Sequence, residues 1–299
     1  MDGDYYNDIS NKVTDTLWRK FQRVAISTLV YVIAYILVGY ALSYLSGLIA
    51  MYFNFHPEIK YYGLYKMPVA PNLWTNRAVL GIYGLAPFLI FVIGIVFYQI
   101  TNSIQKERTI YKVFTLWIAI HCFCLFFSLC ITASFGTQAF TSPFYYGLAV
   151  ATTWLHMDPV LIAPVSLGAL LALIFLGIYL VRNFLALSYA RPVAFNFNAR
   201  RLFVIEIAII PWLIGTILTT LISVPPNHYP KDLLVNLGRN GAFAIMILGM
   251  IFKLDHPISH VVAKNYNVFN RPMWPFLLGV LALFFLIKRH YISYLISSI

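Results

Sequence analysis

The chain has 299 residues, of which 61% are apolar and 10% are charged. Soluble domains contain about 45 to 50% apolar and about 25% charged residues, so this composition excludes an ordinary water-soluble globule. Three cysteines exclude a disulfide scaffold, and the net charge of +11 comes from basic residues spread between apolar stretches, which does not suit nucleic-acid binding. The remaining class is a polytopic membrane protein.

Apolar stretches of membrane-spanning length occur along the whole chain. A spanning helix needs about 20 residues, because the hydrocarbon core is about 30 Å thick and each helical residue rises about 1.5 Å. We predict an all-α polytopic transmembrane bundle with six or seven spans, in one domain covering 24–299, after a cytoplasmic amino-terminal segment, 1–23. Five spans are clear and two are less regular: 24–53, 78–100, 114–134, 159–181 and 202–224, then 233–252 and 272–287.

A further apolar stretch, Phe144 to Met157, is too short to be a span. Its 14 residues would form a helix of about 21 Å, which does not cross the hydrocarbon core. We therefore predict one interfacial or re-entrant element here. Asp158 and Pro159 are expected to end this element and begin the next helix.

The distribution of basic residues predicts the orientation. With the amino terminus inside, about two thirds of the Lys and Arg residues fall on the inner side, as the positive-inside rule requires. The loop with Arg191, Arg200 and Arg201 would then face the inner leaflet, where these side chains can contact anionic lipid headgroups. We expect an integral protein of the bacterial inner membrane, with a first span that is retained as a signal anchor.

Ionisable residues inside the spans are the candidates for substrate binding, because charge at membrane depth is costly unless it has a use. Glu206 lies about 6 Å into the fifth span and His121 about 10 Å into the third, measured from the same face. A Glu–His pair at similar depth could relay a proton or orient a polar substrate. Arg239, which interrupts the sixth apolar stretch, is the third candidate.

Pro211 is expected to kink the fifth span near its middle. A proline inside a helix removes one N–H donor and frees the carbonyl oxygen one turn earlier. Freed carbonyls and helix irregularities of this kind line cavities in some transporters. The position therefore adds to the case for Glu206 as a site residue.

Histidines and carboxylates on the predicted outer side form a second candidate site. His56, His156, Asp158 and His228 gather there in the predicted topology, and imidazole with carboxylate suits zinc. Such a site predicts a membrane-embedded metal-dependent hydrolase.

A separate histidine pair lies after the sixth apolar stretch. His256 and His260 are four residues apart, an arrangement that resembles the H-x-x-x-H motif of seven-helix zinc hydrolases of the alkaline ceramidase and adiponectin-receptor class. The resemblance covers this motif alone, and the companion S-x-x-x-H is absent from the sequence. Membership of that class is therefore not assigned.

The functional expectation rests on how few ionisable groups lie in the spans. No nucleotide-binding loop, zinc-protease motif, nucleophile elbow or covalent-haem motif occurs in the sequence, and we predict no cofactor. A non-enzymatic subunit or scaffold of a membrane assembly, with other membrane subunits or copies of itself as partners, is the first expectation. The alternatives are a carrier or flippase for a small or lipid-like substrate, and the metal-dependent hydrolase.

Overall fold

The computed structural model describes most of the chain. The described residues are 17–60, 63–66, 74–104, 109–136, 146–188, 196–223, 230–254 and 273–282. They form eight helices in chain order: α1 (Leu17–Tyr52), α2 (Asn76–Ser103), α3 (Thr109–Gly136), α4 (Leu148–Trp154), α5 (Pro159–Leu185), α6 (Phe197–Val204, Ile205–Ile209 and Ile210–Ser223), α7 (Pro230–Lys253) and α8 (274–282). A two-stranded antiparallel hairpin, β1 (Glu58–Lys60) and β2 (Gly63–Lys66), lies between α1 and α2.

Six of the described helices are long and apolar enough to cross a membrane: α1, α2, α3, α5, α6 and α7. The predicted all-α membrane bundle is therefore confirmed. The irregular stretch 233–252 forms a continuous helix in α7, because Asn236, Arg239 and Asn240 are all compatible with a helix whose polar face is buried. The seventh span stays a prediction, since only 273–282 of 272–287 is described.

The short element between the third and fourth predicted spans is present. Helix α4 has seven residues, about 10 Å of helix, and ends at Trp154. Ala149 and Ala151 are buried, and the Trp154 indole Nε1 donates a hydrogen bond to Asn76 Oδ1 at 3.0 Å. The element therefore packs on the bundle without crossing it.

Helix α5 begins where the sequence predicts. The Asp158 carboxylate accepts a hydrogen bond from the backbone N–H of Val160 at 2.9 Å, and Pro159 occupies the first helical position. Both features are typical of a helix start, since the cap satisfies an N–H that has no partner in the helix.

Removing this cap should cost a measurable amount of stability. We expect Asp158→Ala to lower the free energy of unfolding by about 1 kcal/mol, because the Val160 N–H loses its acceptor. Asp158→Asn keeps an acceptor oxygen and serves as the matched control. Denaturant unfolding of the two variants in the same detergent measures the difference, and equal losses for both would contradict the role of the cap.

The core of the bundle surrounds α3, which contacts α1, α2, α5 and α7. Trp117 of α3 is fully buried and packs against the rings of Tyr31, Phe184 and Phe243, with centroid distances of 4.9, 5.4 and 5.4 Å. These rings come from α1, α5 and α7. One tryptophan thus joins four spanning helices at the centre of the bundle.

Helices α5 and α7 are in close contact at two glycines, Gly177 and Gly249. A methyl group added at Gly177 would lie 2.0 Å from the carbonyl oxygen of Met246, and one added at Gly249 would lie 1.9 Å from that of Ile174. Both distances are far shorter than a van der Waals contact. The two backbones therefore touch directly, as small residues permit in membrane bundles.

Two spanning helices contain one turn of π-helix immediately before a proline. The π-turns are Gly81–Leu85 in α2 and Ile205–Ile209 in α6, and Pro87 and Pro211 follow them at the same spacing. A proline cannot donate to the carbonyl one turn earlier, and a wider turn at that point accommodates the missing bond. A π-turn thus precedes Pro211 in α6, and the predicted kink stays a prediction.

Candidate functional site

One face of α1 carries a row of polar side chains that points into the bundle. Arg23, Ser27, Tyr31 and Tyr35 recur every four residues and all four are buried. Residues four apart lie one above another on a helix. The row therefore runs through the protein interior from the amino-terminal end of α1 to its middle.

The row begins at an ion-pair site formed by Lys20, Arg23 and Glu206. Arg23 Nη2 lies 2.6 Å from Glu206 Oε2, and the more exposed Lys20 Nζ lies 3.8 Å from Oε1. The carboxylate belongs to the π-turn of α6 and is 6% exposed. This site joins α1 to α6 and neutralises Glu206 within the protein.

Ser27, one turn further along α1, donates a hydrogen bond to a backbone carbonyl to which Pro211 cannot donate. The Ser27 hydroxyl donates to the carbonyl oxygen of Ile207 at 2.6 Å and accepts from Trp117 Nε1 at 2.9 Å. Ile207 lies four residues before Pro211, so its carbonyl cannot receive the usual helical N–H. A buried hydroxyl therefore completes the irregular turn of α6.

The row ends in a group of polar side chains that we call the central cluster. It consists of Tyr31 and Tyr35 of α1, His121 of α3, and Asn236, Arg239 and Asn240 of α7. The Tyr31 hydroxyl donates to Asn240 Oδ1, and the Tyr35 hydroxyl donates to Asn236 Oδ1. Three spans thus bring their polar groups together near the middle of their lengths.

His121 is held in a fixed orientation within the central cluster. Its Nε2 lies 3.1 Å from the backbone carbonyl oxygen of Tyr31, and because a carbonyl only accepts, Nε2 carries the proton. The ring packs edge to face against Tyr31 and Tyr35, with centroids 4.4 and 5.5 Å away.

Arg239 has the most unusual surroundings in the central cluster. Its side chain is buried, with 3% exposed, and its guanidinium carbon lies 3.9 Å from the centroid of the Tyr35 ring. Among the described residues, no carboxylate lies within ion-pair distance of it, and its Nε and Nη2 atoms have no hydrogen-bond partner. A buried cation without these partners lowers the stability of the folded protein, unless a bound ligand supplies a negative charge and hydrogen-bond acceptors.

The structure separates two of the three predicted substrate residues. Glu206 is bound by Arg23 and Lys20, whereas His121 contacts the two tyrosines of α1, so the Glu206–His121 pairing expected from equal depth does not form. His121 and Arg239 do belong together, because both contact Tyr35.

Sequence reasoning missed the other members of the central cluster. The sequence-based prediction does not include Tyr31, Tyr35, Asn236 or Asn240. The four-residue spacing along α1 was the available signal. The spacing of Asn236, Arg239 and Asn240 on one helix face was a second one.

The outer metal site stays a prediction. His228 lies outside the described residues, and in the described part of the chain no three His, Cys, Asp or Glu side chains form a group that could hold a metal ion. His56 and His156 are described, and Asp158 caps α5. The pair His256 and His260 also falls outside the described residues.

The three arginines predicted to bind lipid headgroups differ in their surroundings. Arg191 lies outside the described residues. Arg201 is exposed at the amino-terminal end of α6, where it can reach a headgroup, whereas Arg200 is buried in the protein.

No known protein family, characterised protein or solved structure matches this chain.

Proposed function

We propose that this integral membrane protein is a carrier that binds a small or lipid-like substrate at the central cluster. The observation that supports the proposal is the buried guanidinium of Arg239, which has unused donors and no acidic partner in the described part of the chain. A bundle that serves only as a scaffold has no need for such a group. In a binding site, the same group supplies affinity for a ligand.

The chain itself gives the comparison that favours a carrier. Where a buried arginine has a structural role, as at Arg23, the sequence supplies a carboxylate at 2.6 Å. At Arg239 the contacting side chain is the ring of Tyr35, and among the described residues the central cluster around it contains no carboxylate. Neutral groups that keep their own hydrogen bonds can orient a substrate without neutralising the arginine.

The surroundings of the central cluster suit a site that is closed in the present conformation. Towards the amino-terminal end of α1, the ion-pair site joins α1 to α6. At Gly238, which precedes Arg239 in the sequence, an added Cβ atom would lie 3.4 Å from the Tyr146 hydroxyl oxygen. Alternating access would then require movement at these two places, namely the π-turn of α6 and Tyr146.

Access to the central cluster from the two sides of the membrane tests the proposal without knowledge of the substrate. The three native cysteines are buried and are first replaced by alanine. A single cysteine at Asn236 (N236C) is then exposed to a membrane-impermeant thiol reagent, in right-side-out and in inside-out vesicles. We expect labelling from both sides, because a carrier opens its site alternately.

The matched control is a cysteine at Met246 (M246C), which lies on the same helix, is fully buried and packs against α5. This position should resist the reagent from both sides. If N236C is as resistant as M246C, the central cluster is a static part of the bundle and the carrier proposal is wrong. Co-purification of stoichiometric membrane partners would then be the expected result of the scaffold interpretation.

A further inference from the structure

We infer that Arg239 binds an oxyanion, a carboxylate or phosphate group that presents two oxygens to the Nε–Nη2 edge of the guanidinium. This inference rests on the proposed function, since it names the substrate class of the same site.

The two unpartnered nitrogens of Arg239 define the geometry of the ligand. Nε and Nη2 lie on one edge of the planar guanidinium, and their N–H bonds point in nearly parallel directions. This edge is the fork that carboxylates and phosphates engage with two parallel hydrogen bonds. Both of its donors lack a partner among the described residues, so the fork is available as a unit.

The charge of the site selects an anion. An arginine stays protonated in proteins, so the site cannot become neutral by releasing a proton. The face of the guanidinium is already in contact with the Tyr35 ring. This cation–π contact stabilises the arginine but leaves its positive charge in place. A cationic ligand would therefore be repelled, and a neutral one would leave the buried charge uncompensated.

The central cluster contains a third buried donor. Tyr31 donates to Asn240 Oδ1, which leaves the Asn240 amide nitrogen as a buried donor without a partner in the described part of the chain. The indole of Trp212 fixes the same residue by donating to its backbone oxygen at 3.0 Å. In the described part of the chain, the unused nitrogen atoms of Arg239 and Asn240 are thus all donors, as an oxyanion requires.

Thermal unfolding of the purified full-length protein tests the inference. Melting temperatures are measured in a non-ionic detergent with sodium acetate or inorganic phosphate, against sodium chloride at the same ionic strength. A second arm uses nanodiscs of phosphatidylcholine with and without phosphatidic acid, so that a lipid phosphate can be distinguished from a free anion. A saturating ligand at one hundred times its Kd should raise the melting temperature by about 5 °C.

The variants identify Arg239 as the binding group. Arg239→Gln should abolish the rise, and Arg239→Lys, which keeps the charge but loses the fork, should weaken binding at least about tenfold. Arg77→Gln, at an exposed position of α2, is the matched control and should respond as the original protein does. Without ligand, Arg239→Gln should melt no lower than the original protein, which separates loss of binding from loss of folding.

The inference is overturned if neither free oxyanion nor phosphatidic acid raises the melting temperature above the chloride value, or if Arg239→Gln keeps the full response. Its failure is distinguishable from failure of the carrier proposal. Two-sided labelling of N236C without an oxyanion response would leave a carrier for another substrate class. An Arg239-dependent response without two-sided labelling would leave an anion-binding protein that does not transport.

Discussion

Replacing Gly249 with alanine is expected to force α5 and α7 apart and to lower the free energy of unfolding by about 3 kcal/mol or more. The added methyl group would lie 1.9 Å from the carbonyl oxygen of Ile174, which belongs to the backbone of the facing helix. A side chain in that place could rotate away, but a helix backbone cannot. The whole contact between the two spans must therefore loosen, and its packing is lost.

The controls lie on the same two helices. A methyl group added at Gly241 of α7 or at Gly168 of α5 would have no contact within 4 Å. The variants Gly241→Ala and Gly168→Ala should therefore leave the free energy of unfolding unchanged or raise it slightly. Gly177→Ala should resemble Gly249→Ala, because its methyl group meets the carbonyl of Met246 at 2.0 Å. Reversible unfolding in mixed micelles provides the measurement, and a loss below about 1 kcal/mol at Gly249 would contradict the close contact.

The double variant Gly177→Ala with Gly249→Ala tests whether the two glycines belong to one contact. Gly177 and Gly249 face each other, with the Gly177 Cα only 3.2 Å from an added Gly249 methyl group. Once the first alanine has separated the helices, the second meets less resistance. The two losses should therefore sum to more than the loss of the double variant.

The spans were predictable because the requirement to cross hydrocarbon acts on each segment separately. A run of about 20 apolar residues satisfies it whatever its neighbours are, so length and composition were sufficient. The contact between Gly177 and Gly249 was not predictable in this way. It joins single glycines of two helices, and neither glycine belongs to the repeated small-residue pattern that Gly39, Ser43 and Gly47 form on α1.

The candidate site was predictable in part for a similar reason. The cost of charge inside the membrane singles out His121, Glu206 and Arg239 from sequence alone. Depth along a helix, however, does not say which way a side chain points around its axis. Glu206 and His121 were paired by depth, whereas in the structure Glu206 is bound by Arg23, and His121 packs against Tyr31.

The ion-pair site should respond strongly to the loss of one partner. Glu206→Gln is expected to lower the free energy of unfolding by about 3 to 5 kcal/mol, because it removes the negative charge that lies 2.6 Å from the buried Arg23 and 3.8 Å from Lys20. Arg23→Met should cost less. In that variant Glu206 can still bind Lys20, whose ammonium group is already 3.8 Å away, or take up a proton.

Lys20→Met is the control for the site. Its side chain is 34% exposed and its distance to Glu206 is the longer of the two, so its loss should cost less than about 1 kcal/mol. The expected order of loss is therefore Glu206→Gln, then Arg23→Met, then Lys20→Met, measured by unfolding at one pH and ionic strength.

The double variant Arg23→Met with Glu206→Gln should be more stable than Glu206→Gln alone, because it also removes the buried arginine whose carboxylate is lost in the single variant. If Glu206→Gln instead leaves stability unchanged, the carboxylate does not balance Arg23 in the membrane.

The Glu206→Gln variant also tests the carrier proposal, since the ion pair joins α1 to the π-turn of α6. Weakening it should speed the labelling of N236C from the side of the membrane that holds the amino-terminal end of α1, while labelling from the other side stays unchanged.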